Sequence, residues 1–178
     1  MQSIHLRPPE VADRLVPEHW EADLIKGAMN RSSMGTLVER TTLMVVSARM
    51  PEGTAQSALD GFSEALGAIP LALRKTFSCD QGREMSKHAQ PAEQTGVAVY
   101  FCGPHSPWQR GLNENASGLL RQHLPKGADL SVYTQERLDA LAWSFTTRPR
   151  KSLGPRSPVE VYSELLHNME PAKTAIKH

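Results

Sequence analysis

Hydrophobic and polar positions alternate along HWEADLIKG, residues 19–27: Trp20, Ala22 and Leu24 fall to one side, Glu21, Asp23 and Ile25 to the other. A two-residue period predicts a strand. MGTLVER and TTLMVVSARM follow, rich in Thr, Val, Leu and Met and split by a polar break at Glu39, Arg40 and Thr41, a pattern that predicts an antiparallel hairpin. After Pro51, Glu52 and Gly53 the spacing changes. Ala58, Leu59, Phe62, Ala65, Leu66 and Ile69 share one helical face behind a threonine cap. RKTFSCD predicts a short strand ending at Asp80, QGREMSKHAQPAEQTG a turn and helix, and VAVYFC a fifth strand. From Gln109 the period is again helical, with Leu112, Ala116, Leu119, Leu120 and His123 on the packing face. TQERLDALAWSFTTR predicts another helix. Beyond the prolines at 149, 155 and 158, SPVEVYSELL predicts a last one, capped at Ser157.

Three antiparallel strands followed by strands alternating with helices give an α/β fold. The sheet is mixed and five-stranded, three strands antiparallel and then two parallel, with helices flanking it. Residues 1–17, rich in proline and charge and without a period, read as an extended leader or linker remnant. Residues 18–167 form the domain, and 168–178 read as a flexible tail.

Composition narrows the classes. At 178 residues, 39% hydrophobic and 22% charged, the chain supports one domain with one core. No run approaches the roughly 18 apolar residues of a membrane span, and the first residues lack the apolar stretch of a signal peptide. A soluble, cytoplasmic protein is the expectation. Cys79 and Cys102 are too few and too far apart for a disulfide framework or zinc site, and both read as buried thiols. A net charge of +1 does not decide the question of nucleic acid, but the basic residues cluster over 110–126 and 148–156.

Three acids carry the candidate chemistry. Asp23 lies in the first strand, Asp80 at the carboxyl end of the fourth, and Glu114 near the start of the helix after the fifth. The carboxyl ends of neighbouring parallel strands are where ligands collect in open sheets. Converging carboxylates repel unless a cation sits among them, and an all-oxygen set favours magnesium or manganese. Two such ions would activate an attacking hydroxyl and stabilise a departing one in phosphodiester displacement. On the Glu114 helix, Arg110, Glu114, Ser117 and Arg121 share a polar stripe, which reads either as a solvated face or as a surface for phosphates beside the metals. Glu21, on the same strand face as Asp23, reads as a neighbour supporting it, and Glu84 as a solvent-facing acid.

WEADLI, SCDQG, HSPWQRGLNENASGLLRQHLPKG, RPRKSLG and SPVEVY, in this order, resemble the catalytic region of bacterial transposases of the insertion sequence thirty family. These belong to the DDE transposase and retroviral-integrase-like superfamily, with a ribonuclease-H-like core. The resemblance spans roughly residues 9–166. It matches Asp23 to the aspartate of a WEGD-like strand, Asp80 to that of a DNG-like turn and Glu114 to the glutamate of NEN. Thirty-three residues, 81 to 113, separate the last two, the family's interval. The resemblance implies that Asp23, Asp80 and Glu114 are both catalytic and metal-binding, with two Mg2+ or Mn2+ ions when DNA is bound. It implies strand cleavage and transfer during transposition, and Arg110, Ser117, Arg121, Lys126, Arg148, Arg150 and Lys151, on the polar stripe and in the basic clusters, are the expected DNA contacts. The partners it implies are transposon ends and target DNA, for a homodimer associated with the nucleoid and not with a membrane.

Ala22, Gln81 and the pair Thr146 and Thr147 depart from the family's glycine, asparagine and asparagine pair, and none of these changes removes an acid. The family's N-terminal helix-turn-helix has no counterpart here, so a catalytic fragment or a truncated copy is expected. The rival reading is a non-catalytic DNA-binding or dimerising remnant that competes with intact transposase. A nuclease for RNA–DNA hybrids would share the acids without the SPWQRG block.

Overall fold

The structure, a computed structural model, describes residues 2–14, 16–81, 95–103 and 111–169. Six strands form one sheet: β1 (Gln2–Ser3), β2 (His19–Lys26), β3 (Ser33–Glu39), β4 (Val45–Met50), β5 (Thr76–Cys79) and β6 (Ala98–Phe101). Their order is β1-β6-β5-β2-β3-β4. The meander β2-β3-β4 is antiparallel, and β5, β6 and β1 extend it in parallel from β2. The mixed α/β sheet therefore has one strand more than the five expected. The segment expected to be an extended leader or linker remnant supplies it, since Gln2 and Ser3 pair with Tyr100 and Phe101. The leader's short helix, α1 (Glu10–Asp13), also buries Val11 completely.

Among the described residues, four longer helices cover the sheet. On one face, α2 (Ala55–Gly67) and α5 (Pro158–Met169) close over Trp20, Ala22, Leu37, Ala48 and Phe77, with Phe62 and Leu66 of α2 fully buried and Tyr162 and Leu166 of α5 packed against the cluster. On the other face, α3 (Gly111–Leu120) and α4 (Gln135–Thr146) meet Ile25, Met34, Val38 and Val45 through Ala116, Leu120, Leu138, Ala142 and Phe145. The alternation in β2 thus has a direct physical meaning. Its even positions feed the α2 side, while Glu21, Asp23 and Ile25 face α3.

Local chemistry fixes the ends of these elements. Thr54 caps α2 by accepting from the Ser57 N–H, as its place before the helix predicts. At α5 the exchange is reversed: Glu160 accepts from both the Ser157 N–H and hydroxyl at 2.7 Å, the returning half of a capping box. Trp20 donates its indole N–H to the Leu73 carbonyl at 2.8 Å, so burying the ring strands no polar atom. Cys79 and Cys102 are buried and are not joined in a disulfide. Among the described residues no helix is long and apolar enough to cross a membrane.

His19 opens β2 at 2% exposure. Its Nδ1 lies 2.8 Å from the Thr76 hydroxyl on β5, and burial holds the imidazole below its ordinary value. The unfolded chain therefore takes up a proton before the folded one does. Stability tied to His19 is present above about pH 6.5 and is lost as pH falls through the lower folded value. Urea denaturation at pH 7 and pH 5 should show a smaller loss of stability on acidification for His19→Gln than for the native chain. Equal losses would remove His19 from the acid response.

Candidate active site

The parallel neighbours β2 and β5 each lead to one of the first two acids. Glu21 pairs with Ser78 in parallel; Asp23 follows two residues on within β2, and Asp80 follows two residues on, past the last residue of β5. Asp23 is half-buried and Asp80 exposed just beyond the end of β5. The Asp80 Oδ1 accepts from the Gln81 N–H at 2.8 Å. Glu114 is exposed in the first turn of α3. One turn on, the Ser117 hydroxyl lies 3.4 Å from Asp23 Oδ2. The helix that carries the third acid thus touches the strand that carries the first.

A buried polar cluster fixes that contact. Asn113 is fully buried beneath α3. Its Nδ2 donates to the backbone carbonyls of Glu21 at 2.6 Å and Thr36 at 3.0 Å, bridging β2 and β3. Its Oδ1 accepts from the Thr36 hydroxyl at 2.6 Å and lies 3.3 Å from that of Ser117. Two donors and two acceptors exhaust the capacity of an amide. The Asn113 backbone N–H, at the start of α3, donates to Glu21 Oε2 at 3.2 Å. The other oxygen of Glu21 receives the Arg40 guanidinium in an ion pair, and Arg40 Nε donates to the Val11 carbonyl of the leader at 3.1 Å. Burial pushes the Glu21 carboxyl above its ordinary value, with Arg40 and the Asn113 N–H pulling it back; burial likewise lowers Arg40.

The expected site residues divide by place. Asp23, Asp80 and Glu114 lie on adjoining elements at one end of the sheet. Among the described residues, however, no three His, Cys, Asp or Glu side chains stand close enough to hold a metal as placed, so gathering the carboxylates requires side-chain rotation. Their donor set, carboxylate oxygen alone, suits a hard divalent cation. Ser117 turns toward the sheet, its hydroxyl among Asp23, Asn113 and Thr36. Arg121 donates to the Lys26 carbonyl at 2.9 Å. Lys126 is exposed between α3 and α4, Arg148 is exposed with its guanidinium 5.1 Å from the Phe145 ring centroid, and Arg150 and Lys151 follow α4, half-buried and exposed respectively. Arg110, Glu84 and the helix expected after Asp80 lie outside the described residues.

Asn113, Thr36 and Arg40 received no role from the sequence. The available signal was an asparagine next to the packing position Leu112, on a helix face that also carries Ala116 and Leu120.

No family model matches the chain. It is 59% identical over 168 residues to the transposase for insertion sequence element IS1086 of Cupriavidus metallidurans, covering 94% of this chain and 50% of that protein. It is 40% identical over 158 residues to the transposase InsI for insertion sequence element IS30A of Escherichia coli, covering 89% of this chain and 41% of that protein. The chain spans about half the length of these curated relatives or somewhat less. Its fold is similar to the catalytic core domain of BIV integrase, with a TM-score of 0.63 over 86% of this chain and 98% of that one at 21% identity. It is also similar to a chain of the simian T-cell lymphotropic virus intasome, with a TM-score of 0.64 over 92% and 59% at 14% identity.

Thr36 is fully buried, and Val would keep its shape without the hydroxyl. Thr36→Val should cost about 1–3 kcal/mol in urea denaturation, because Asn113 Oδ1 loses its closest donor inside the protein. A cost below about 0.5 kcal/mol, the range of ordinary surface substitutions, would show that the cluster does not bear on the fold.

Proposed function

Because the chain belongs to the insertion sequence thirty family of bacterial transposases, we propose that it is the part of such a protein that cuts DNA strands and joins them, using divalent metal. What supports this reading is the parallel pairing of β2 with β5, the strands that lead to Asp23 and Asp80, together with the contact from Ser117 of the Glu114 helix to Asp23. Asp23, Asp80 and Glu114 would hold the metal, Mg2+ or Mn2+, as two ions when DNA is bound. A divalent cation held there supplies activation of the attacking hydroxyl and offsets charge on the leaving oxygen.

The chain's own residues supply position. The Ser117 hydroxyl limits the rotation of Asp23, and the Gln81 N–H holds one oxygen of Asp80. Glu114 sits in the first turn of its helix, free of the packing that occupies Ala116 and Leu120. Water would attack in the first cut and a DNA 3′ hydroxyl in strand transfer. Arg110, Arg121, Lys126, Arg148, Arg150 and Lys151 would hold phosphates, which fixes the duplex in place without reading its bases. On this reading the chain acts as a homodimer on transposon ends and target DNA in the nucleoid.

The test is nicking of a duplex that carries the element's end, with Mn2+ present. Asp23→Asn, Asp80→Asn and Glu114→Gln should each lower the rate by more than the roughly 10–100-fold that is typical when a residue merely supporting a ligand is lost. Undiminished nicking by Glu114→Gln, or no metal-dependent nicking by the native chain, would contradict the proposal.

A further inference from the structure

Glu21 is buried at 1% exposure although it stands only two residues from Asp23, and the proposed chemistry makes no use of it. Its two oxygens serve different partners. One meets Arg40; the other accepts from the Asn113 N–H at the first turn of α3. The first N–H groups of a helix have no partner within the helix, and a start pressed against a sheet needs an acceptor from elsewhere. The Glu21 carboxylate is that acceptor, and the residue after Asn113 is Glu114.

We infer that Glu21, oriented by Arg40, is a positioning residue for Glu114: it pins the first turn of α3 to β2, and so sets where the third acid stands relative to Asp23. This rests on the reading of Asp23, Asp80 and Glu114 as metal ligands. The geometry separates the anchor from the ion pair. Arg40 is held at its other edge by the Val11 carbonyl. Its part is to fix the Glu21 carboxylate so that the second oxygen faces Asn113. The leader thus reaches the site helix through two side chains.

Removing Glu21 alone would leave Arg40 as a buried, uncompensated charge and could unfold the chain, so the test uses paired substitutions in the full chain. Glu21→Gln with Arg40→Met removes both charges but keeps a carbonyl oxygen for the Asn113 N–H. Glu21→Leu with Arg40→Met removes the charges and the acceptor. Two measurements are made on both, Mn2+ affinity by titration with the metal alone and amide hydrogen exchange at 113–116.

The glutamine pair, which keeps the acceptor but loses Arg40, should bind Mn2+ with an affinity between those of the native chain and the leucine pair. The leucine pair should bind it about tenfold or more weakly, as on loss of a group that orients a ligand, and its amides at the start of α3 should exchange about tenfold or more faster than those of the glutamine pair. Exchange that is the same in both pairs would overturn the anchor. Equal loss of Mn2+ affinity in both would assign the effect to the ion pair and overturn the positioning role. Asp23→Asn and Glu114→Gln run alongside. If these bind Mn2+ as the native chain does, the metal site itself fails, while the exchange comparison still decides whether Glu21 anchors the helix.

Discussion

An asparagine buried between a helix and a sheet must have every hydrogen bond made inside the protein, because water cannot reach it. Asn113 meets that condition in one arrangement, with its Nδ2 between the carbonyls of Glu21 and Thr36 and its Oδ1 at the Thr36 hydroxyl. A hydrophobic contact between α3 and the sheet would tolerate sliding. This network does not, since a shift of one residue along β2 would leave donors and acceptors unpaired at several kcal/mol in total. The rest of the site inherits its placement from this constraint, Ser117 against Asp23 and Glu114 at the helix start.

The same constraint explains why two charged residues are tolerated in the core. A buried ion pair brings little net stability and is costly when broken. Glu21 and Arg40 make sense as orienting groups, each with a second partner: the Asn113 N–H for Glu21 and the Val11 carbonyl for Arg40. Arg7 of the leader adds a contact to the Ser78 hydroxyl at 3.2 Å, two residues before Asp80. The leader is therefore part of the packing beneath both acid-bearing strands.

Much of the fold was legible because sheet strands buried on both faces and amphipathic helices write their periods into the chain. The alternation at Trp20, Ala22 and Leu24 against Glu21, Asp23 and Ile25 sorted the two faces correctly. Gln2 and Ser3 were not legible, since a two-residue edge strand has no period and is made by its partner, β6. The parallel pairing of the strands that lead to Asp23 and Asp80 followed from the order of strands and helices. Glu114 was picked out by its place near the start of a helix and by the resemblance of its motif. Asn113 escaped because one polar residue beside a packing face looks like surface until the facing strands supply its partners, and those partners, Glu21 and Thr36, are distant in sequence. Glu21 was read as a neighbour of Asp23, which is its place. Its bond to α3 depends on a long-range contact that no local pattern encodes.

The central claim is that this anchored helix brings its acid to the two on the sheet. Anomalous scattering from crystals of the full chain soaked in manganese tests it most directly. The account predicts manganese bound by the carboxylates of Asp23 and Asp80, with Glu114 rotated toward it and the Asn113 network intact. Manganese bound elsewhere, with all three acids well ordered and Glu114 turned away, would contradict it.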